Sequence, residues 1–177
     1  MKGFACVNGR IVPSDKAKIS VFDKGLQHGC GVFETMRAYG GRIFLWKEHM
    51  ARLNQGARML GIAPGEAKTL EKNALRVLKK NNLLSSDAYV KIMLTPGNGG
   101  KESTSIIISR GLDAKKISLM QKNGVKAVTL RGWVNPFGAI KSLSYIRSVL
   151  GKIEAPSRRY SPIPKDTSSK APERTYF

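Results

Sequence analysis

The chain has 177 residues, 41% of them apolar, and a mean hydropathy of −0.25, which predicts one folded domain, or a domain and a fragment, and excludes a globally disordered polypeptide. Thirty-one lysines and arginines against twelve acids give a formal charge of +19, a balance that suits phosphates, carboxylates or nucleic acid. Two cysteines (Cys6, Cys30) and two histidines (His28, His49) exclude a disulfide framework and argue against a metal site, while the lack of any ~18-residue apolar run argues against a membrane span.

The first residues lead straight into strand-like sequence with no signal peptide, which points to the cytoplasm. Gly3–Val7 and Arg10–Val12 flank Asn8-Gly9, a strong hairpin signal. Asp23-Lys24-Gly25 reads as a loop. Gly31–Ala38 and Arg42–Leu45 read as a second hairpin around Gly40-Gly41. From Glu48 to Leu60 the spacing of Met50, Leu53, Ala57 and Leu60 predicts a helix with one buried stripe, stopped by Gly61. A second helix is expected over Gly65–Asn81, with Leu70, Ala74, Leu75 and Leu78 inward. Ala88–Leu94, Ser105–Ser109 and Val125–Leu130 read as strands, Leu112–Asn123 as a connector, and Ser142–Ala155 as an amphipathic helix opened by Lys141. The expected fold class is α+β: a small domain over residues 1–123, the first strand and helix of a larger one over 124–155, and a disordered tail over 156–177.

Three segments hold residues suited to chemistry. Glycines crowd Asp23–Arg37, allowing backbone to approach a ligand, but no strand precedes them, so a dinucleotide fingerprint fails. Arg52 sits on a helix beside Met50 and Leu53, where a guanidinium near the core boundary needs an anion such as a phosphate. Spacing alone favours a surface arginine with its stem packed on the helix. Lys141 follows the apolar Phe137, Ala139 and Ile140, and sheltered surroundings make an amine nucleophilic. Tyr145, four residues on in the expected helix, would face the same way and reach a bound ring. Taken alone, Lys141 also reads as one solvated lysine among many.

Together the segments resemble the class IV aminotransferases, the pyridoxal-phosphate enzymes of fold type IV that include branched-chain aminotransferase, D-amino acid aminotransferase and aminodeoxychorismate lyase. The resemblance rests on Asp23-x-Gly25-x-x-x-Gly29-x-Gly31-Val32-Phe33-Glu34-Thr35-x-Arg37, on His49-x-x-Arg52-Leu53, and on Lys141-Ser142-Leu143-Ser144-Tyr145 running on to Glu154-Ala155. It covers residues 3–155 and implies a small domain followed by the start of the large cofactor-binding domain. It implies pyridoxal 5'-phosphate as cofactor, Lys141 as the Schiff-base lysine, Arg52 as a ligand of the cofactor phosphate and Tyr145 near its ring. It also implies a substrate pocket of Phe33, Arg37, Tyr39, Tyr89, Lys91 and His28, with Gly29 and Gly31 keeping its wall open.

The implied reaction moves an amino group from a branched-chain-like amino acid to 2-oxoglutarate in a homodimer; elimination of pyruvate from aminodeoxychorismate is the alternative. Departures from the family pattern are Ser144 for Asn, His28 for Tyr and Lys91 for Arg, the last two relative to many branched-chain enzymes. Residues 156–177 do not follow the family and hold four of the eight prolines, which reads as a truncated or frame-shifted chain with impaired activity. The competing class is a basic nucleic-acid-binding module or a gene remnant, although the basic residues are scattered and not interleaved with aromatics as in a stacking platform.

Overall fold

The computed structural model describes residues 3–99, 102–124, 138 and 140–154; the expected strand at 125–130 and the tail at 156–177 lie outside them. Two compact units are present. The first holds the described residues through Leu112 together with 138 and 140–144. The second holds the two helices that follow Leu112 and Ser144. No described helix is long and apolar enough to cross a membrane.

The first unit is a six-stranded antiparallel sheet covered on one face by two helices. Its strands are β1 (Phe4–Val7), β2 (Arg10–Pro13), β3 (Val32–Tyr39), β4 (Arg42–Ile43), β5 (Ala88–Thr95) and β6 (Thr104–Gly111), ordered β2-β1-β6-β5-β3-β4. The first hairpin turns as its sequence predicts: Asn8 and Gly9 adopt φ of 48° and 78°, the left-handed pair that matches strand twist. The expected strand at 42–45 is cut short. Phe44 N–H still bonds the Arg37 carbonyl at 2.9 Å, but Leu45 turns left-handed (φ 51°) and leads into the next helix.

The expected loop at Asp23 is instead a short helix, α1 (Lys24–His28). Asp23 is buried, caps that helix by accepting from Gly25 N–H at 2.7 Å, and accepts from Thr95 Oγ1 at 2.7 Å. An Asp at an N-cap satisfies helix donors that a loop would leave to water. Gly29, left-handed at φ 64°, ends the helix.

Helices α2 (Trp46–Met59) and α3 (Ala67–Lys80) cover the sheet. Met50, Leu53 and Ala57 are buried as predicted. In α3 Leu70, Ala74 and Leu78 point inward, but Leu75 does not: about 140° round the helix from Leu70, it is exposed, and Val77 takes its place. These side chains meet Val32, Met36, Ala38, Val90, Ile92, Leu94 and Ile107 in one core. Gly56 lets α2 approach closely, since a Cβ there would stand 3.1 Å from Val32 Cγ1.

Asn81, just past α3, fastens the far side of the sheet. Its side chain accepts from Phe4 N–H at 2.7 Å and donates to the Phe4 carbonyl at 3.0 Å and to Ser109 Oγ at 2.9 Å. At about 1 kcal/mol net per hydrogen bond, Asn81→Ala is expected to lose about 3 kcal/mol. Urea unfolding followed by circular dichroism checks this; an unchanged midpoint contradicts it.

In the second unit, the expected connector at 112–123 is a helix, α4 (Ala114–Asn123). Asp113 caps it by accepting from Lys116 N–H at 3.0 Å, and Gly124 closes it. The last helix, α5, spans Ile146–Glu154, four residues shorter at its start than the sequence suggests. Lys141 therefore does not open a helix. The backbone at 141–144 is spoken for by the sheet, with Ser142 bridging Val32.

Candidate active site

Alternation along β3 sends Val32, Glu34, Met36 and Ala38 to the helix-covered face and Phe33, Thr35, Arg37 and Tyr39 to the other. Glu34 therefore carries a carboxylate into the core, where it is fully buried. Such a charge needs partners, and α2 supplies two. His49 and Arg52, three residues apart, share one helix face. Nδ1 of His49 donates to Glu34 Oε2 at 2.8 Å, Arg52 Nη2 donates to Oε2 at 2.7 Å, and Arg52 Nε donates to Oε1. Burial pushes the Glu34 carboxyl up, but the hydrogen bonds and charges of Arg52 and His49 outweigh it and hold the group below its ordinary range.

The anion that Arg52 needs is thus in the first place a carboxylate of this chain. Only one edge of the guanidinium is used, however. Its side chain is 53% exposed, and Nη1 has no partner among the described residues. Glu34 fixes the plane of the guanidinium and leaves its outer edge able to receive a phosphate oxygen. Glu34 was legible as a candidate in the sequence: it is an acid at an inward position of a strand otherwise apolar on that face.

Phe33, the preceding residue, points to the opposite face and is also buried. Its backbone N–H donates to the Lys141 carbonyl at 3.0 Å, and Leu143 N–H donates to the Gly31 carbonyl at 2.9 Å. Ser144 Oγ donates to the Gly29 carbonyl at 3.1 Å. The segment 141–144 is therefore laid along the start of β3. Gly29 and Gly31 make room for this segment. A Cβ on Gly31 would stand 2.5 Å from Leu143 Cδ1, and one on Gly29 would stand 2.9 Å from Ser144 Oγ.

This docking fixes the Lys141 amine 4.6 Å from the centroid of the Phe33 ring. Lys91, from β5, brings a second amine to 4.5 Å from the same centroid. Both lysines are half-buried, and neither is in an ion pair among the described residues. Burial and the neighbouring Lys141 charge both push the Lys91 amine below its ordinary value.

The other residues singled out from sequence are more dispersed. Tyr89 pairs in register with Arg37 and has Arg110 over its ring at 4.5 Å. Tyr39 lies exposed at the end of β3, edge-on to Phe44 at 6.2 Å. His28 is exposed at the end of α1. Tyr145 belongs to the second unit and precedes α5, so the helical spacing that put it beside Lys141 does not hold. One strand end thus gathers Lys141, Lys91 and Phe33 on one face and Glu34, His49 and Arg52 on the other. A sheltered amine and an oriented guanidinium are the groups that a phosphorylated aldehyde would engage.

Comparison with known proteins gives this arrangement a context. The family profile described as amino-transferase class IV matches residues 31–161, a little past the Ala155 boundary read from the sequence. A Methanocaldococcus jannaschii protein named as a branched-chain-amino-acid aminotransferase is 37% identical over 169 residues, covering 84% of this chain and 54% of the relative. A D-alanine aminotransferase of Bacillus licheniformis is 30% identical over 156 residues, with the same shares of 84% and 54%. Among solved structures, the branched-chain aminotransferase of the archaeon Thermoproteus uzoniensis, crystallised with norvaline, shares the fold with a TM-score of 0.74 at 24% identity, covering 90% of this chain and 58% of that one. The chain spans about half the length of the curated relatives it matches.

Proposed function

The chain belongs to the class IV aminotransferases and has the fold type IV architecture, and from that premise we propose that it carries the lysine and phosphate-side residues of a pyridoxal-phosphate site. The reaction we assign is transfer of an amino group from a branched-chain-like amino acid to 2-oxoglutarate, in a homodimer. The observation that carries the reading is the Lys141 amine, half-buried against Phe33 and without a carboxylate partner among the described residues.

The residue types suit the cofactor: an amine and a guanidinium stand at the same end of β3, on its two faces. Lys141 offers an amine to its aldehyde, and Arg52 offers its unused outer edge to its phosphate. When bound, the cofactor supplies a ring that takes up charge from the substrate α-carbon. Lys141, once its amine is released, moves the proton at that carbon. Glu34 and His49 orient Arg52. Phe33 and Tyr89 provide apolar surface for the substrate side chain, and Lys91 and Arg37 provide positive charge for its carboxylates, as does the absence of any acid among β3, β5 and β6 residues on that face of the sheet.

Incubation with pyridoxal phosphate, borohydride reduction and peptide mass mapping tests the reading. The expected result is a pyridoxyl label concentrated on Lys141, absent in Lys141→Ala, with glutamate formed from leucine and 2-oxoglutarate by the unreduced protein. A label spread evenly over surface lysines and unaffected by Lys141→Ala would overturn it.

A further inference from the structure

The two amines that each lie against the Phe33 ring, Lys91 and Lys141, arrive from distant parts of the chain. One is in the middle of β5, in register with Thr35 and Ile108, and the other is in the segment docked on β3. With each Nζ about 4.5 Å from the Phe33 centroid, they lie within the ~10 Å screening length of 0.1 M salt. The titratable groups on the surrounding elements are Arg37 and Tyr39 of β3, Tyr89 of β5, Arg110 of β6, Asp23, Lys24 and His28 of α1 and its cap, and Cys30 just ahead of β3. The one carboxylate among them, Asp23, is taken up by Gly25 N–H and Thr95 Oγ1, four residues along β5 from Lys91. Glu34 points to the other face and is engaged by Arg52 and His49. No described carboxylate forms an ion pair with either amine, and the Lys91 amine is pushed toward its neutral form.

A lysine must lose its proton before it can attack a carbonyl. We propose that Lys91 is the proton acceptor for Lys141: its amine takes up the proton that Lys141 sheds as the Lys141 nitrogen attacks an aldehyde carbon. The balance is complete. A proton leaves the Lys141 ammonium and arrives, directly or through a water, on Lys91 Nζ. The freed lone pair forms the carbon–nitrogen bond, and the aldehyde oxygen departs as water. Arginine in place of Lys91 would keep the charge but could not take the proton, because it stays protonated throughout the accessible pH range. The inference rests on the reading of Lys141 as the nucleophile.

The test has two arms, both on the full chain. In the first, lysines are reductively methylated with 13C-formaldehyde and their methyl signals are titrated by NMR without cofactor. Lys91 is expected to titrate below the exposed lysines, and its midpoint is expected to rise by about one pH unit in Lys141→Met. An unmoved Lys91 midpoint overturns the coupling. In the second arm, the rate at which pyridoxal phosphate is captured on Lys141 is followed from pH 6 to 10 by borohydride quench and peptide mapping. Lys91→Met and Lys91→Arg are both expected to slow capture on the order of tenfold near pH 7 and to converge on the native rate at high pH, where Lys141 needs no acceptor. If Lys91→Arg captures at the native rate at every pH, charge alone suffices and the acceptor role is wrong. Absence of capture on Lys141 in the native chain would instead sink the reading of Lys141 as nucleophile, and the acceptor role with it, while the first arm still reports whether the two amines are coupled.

Discussion

Arg52→Met is expected to destabilise the first unit by about 2 kcal/mol near pH 7, a deficit that shrinks as the pH falls. Removing one partner of a buried ion pair typically costs ~3–5 kcal/mol, because the charge left behind is uncompensated. Here the full figure is reduced, since Arg52 is 53% exposed and water already screens it, and since His49 remains bonded to Glu34. In the native chain the Glu34 carboxyl is held below its ordinary value of ~4.3. A depressed carboxyl contributes stability that is fully present above the ordinary value and is lost as pH falls through the lower, folded one. Without Arg52, burial dominates and lifts the folded carboxyl above its ordinary value, so the sign of the Glu34 contribution reverses: the deficit is greatest near neutral pH and shrinks as the pH falls and the buried carboxyl takes up a proton. Urea titrations between pH 3 and 7 measure both effects. Glu34→Gln combined with Arg52→Met is expected to recover most of the stability, because no buried charge is left alone; a double variant weaker than either single one would contradict the account.

Gly31→Ala is expected to cost about 2 kcal/mol and to loosen the segment that carries Lys141. The added methyl would stand 2.5 Å from Leu143 Cδ1 and 2.8 Å from the Leu94 carbonyl oxygen. The first contact is with the end of a flexible side chain and can be relieved. The second is with backbone in a paired strand and cannot be relieved without shifting β5 against β3. Overpacking of this kind costs ~1–3 kcal/mol, set against the ~0.4–1 kcal/mol that Gly→Ala changes return through the unfolded chain. Hydrogen exchange at Phe33 and Leu143, whose N–H groups hold the 141–144 segment, reads the loosening directly. Adding Leu143→Ala should restore only the part owed to the side chain. Native protection of both amides in Gly31→Ala would show that the close approach is not needed.

Local pattern carried much of the fold. Apolar runs bounded by turn residues marked β1, β3, β5 and β6, and the Met50, Leu53, Ala57 stripe marked α2, and each of these elements has one face on a single core. Two misreadings came from the ends of elements. Asp23 looked like a turn residue, yet its side chain caps a helix and meets Thr95, a partner 72 residues away that no local window contains. Lys141 looked like the start of a helix, since the apolar spacing of the following segment is helical. Pairing with β3 wins at 141–144 and delays the helix to Ile146. The candidate site reads in the sequence as three separate motifs, in which Arg52 and Lys141 stand out by chemical type. What could not be read was that consecutive residues of one strand, Phe33 and Glu34, would organise them on opposite faces. That depends on register, and only Glu34's inward place in the alternation hinted at it.

The stitching of Ser144 to Gly29, 115 residues apart in sequence, also bears on how the protein matures. Closing so long a loop is entropically slow, and contacts of this span form late in folding. On a ribosome adding ~5–20 residues per second, β3 would wait on the order of ten seconds before its partner segment is even synthesised. The nascent chain would spend that interval with Glu34 and Arg52 already able to meet while the amine at 141 had yet to emerge, so the ion pair on one face of β3 is assembled before the 141–144 segment docks beside it.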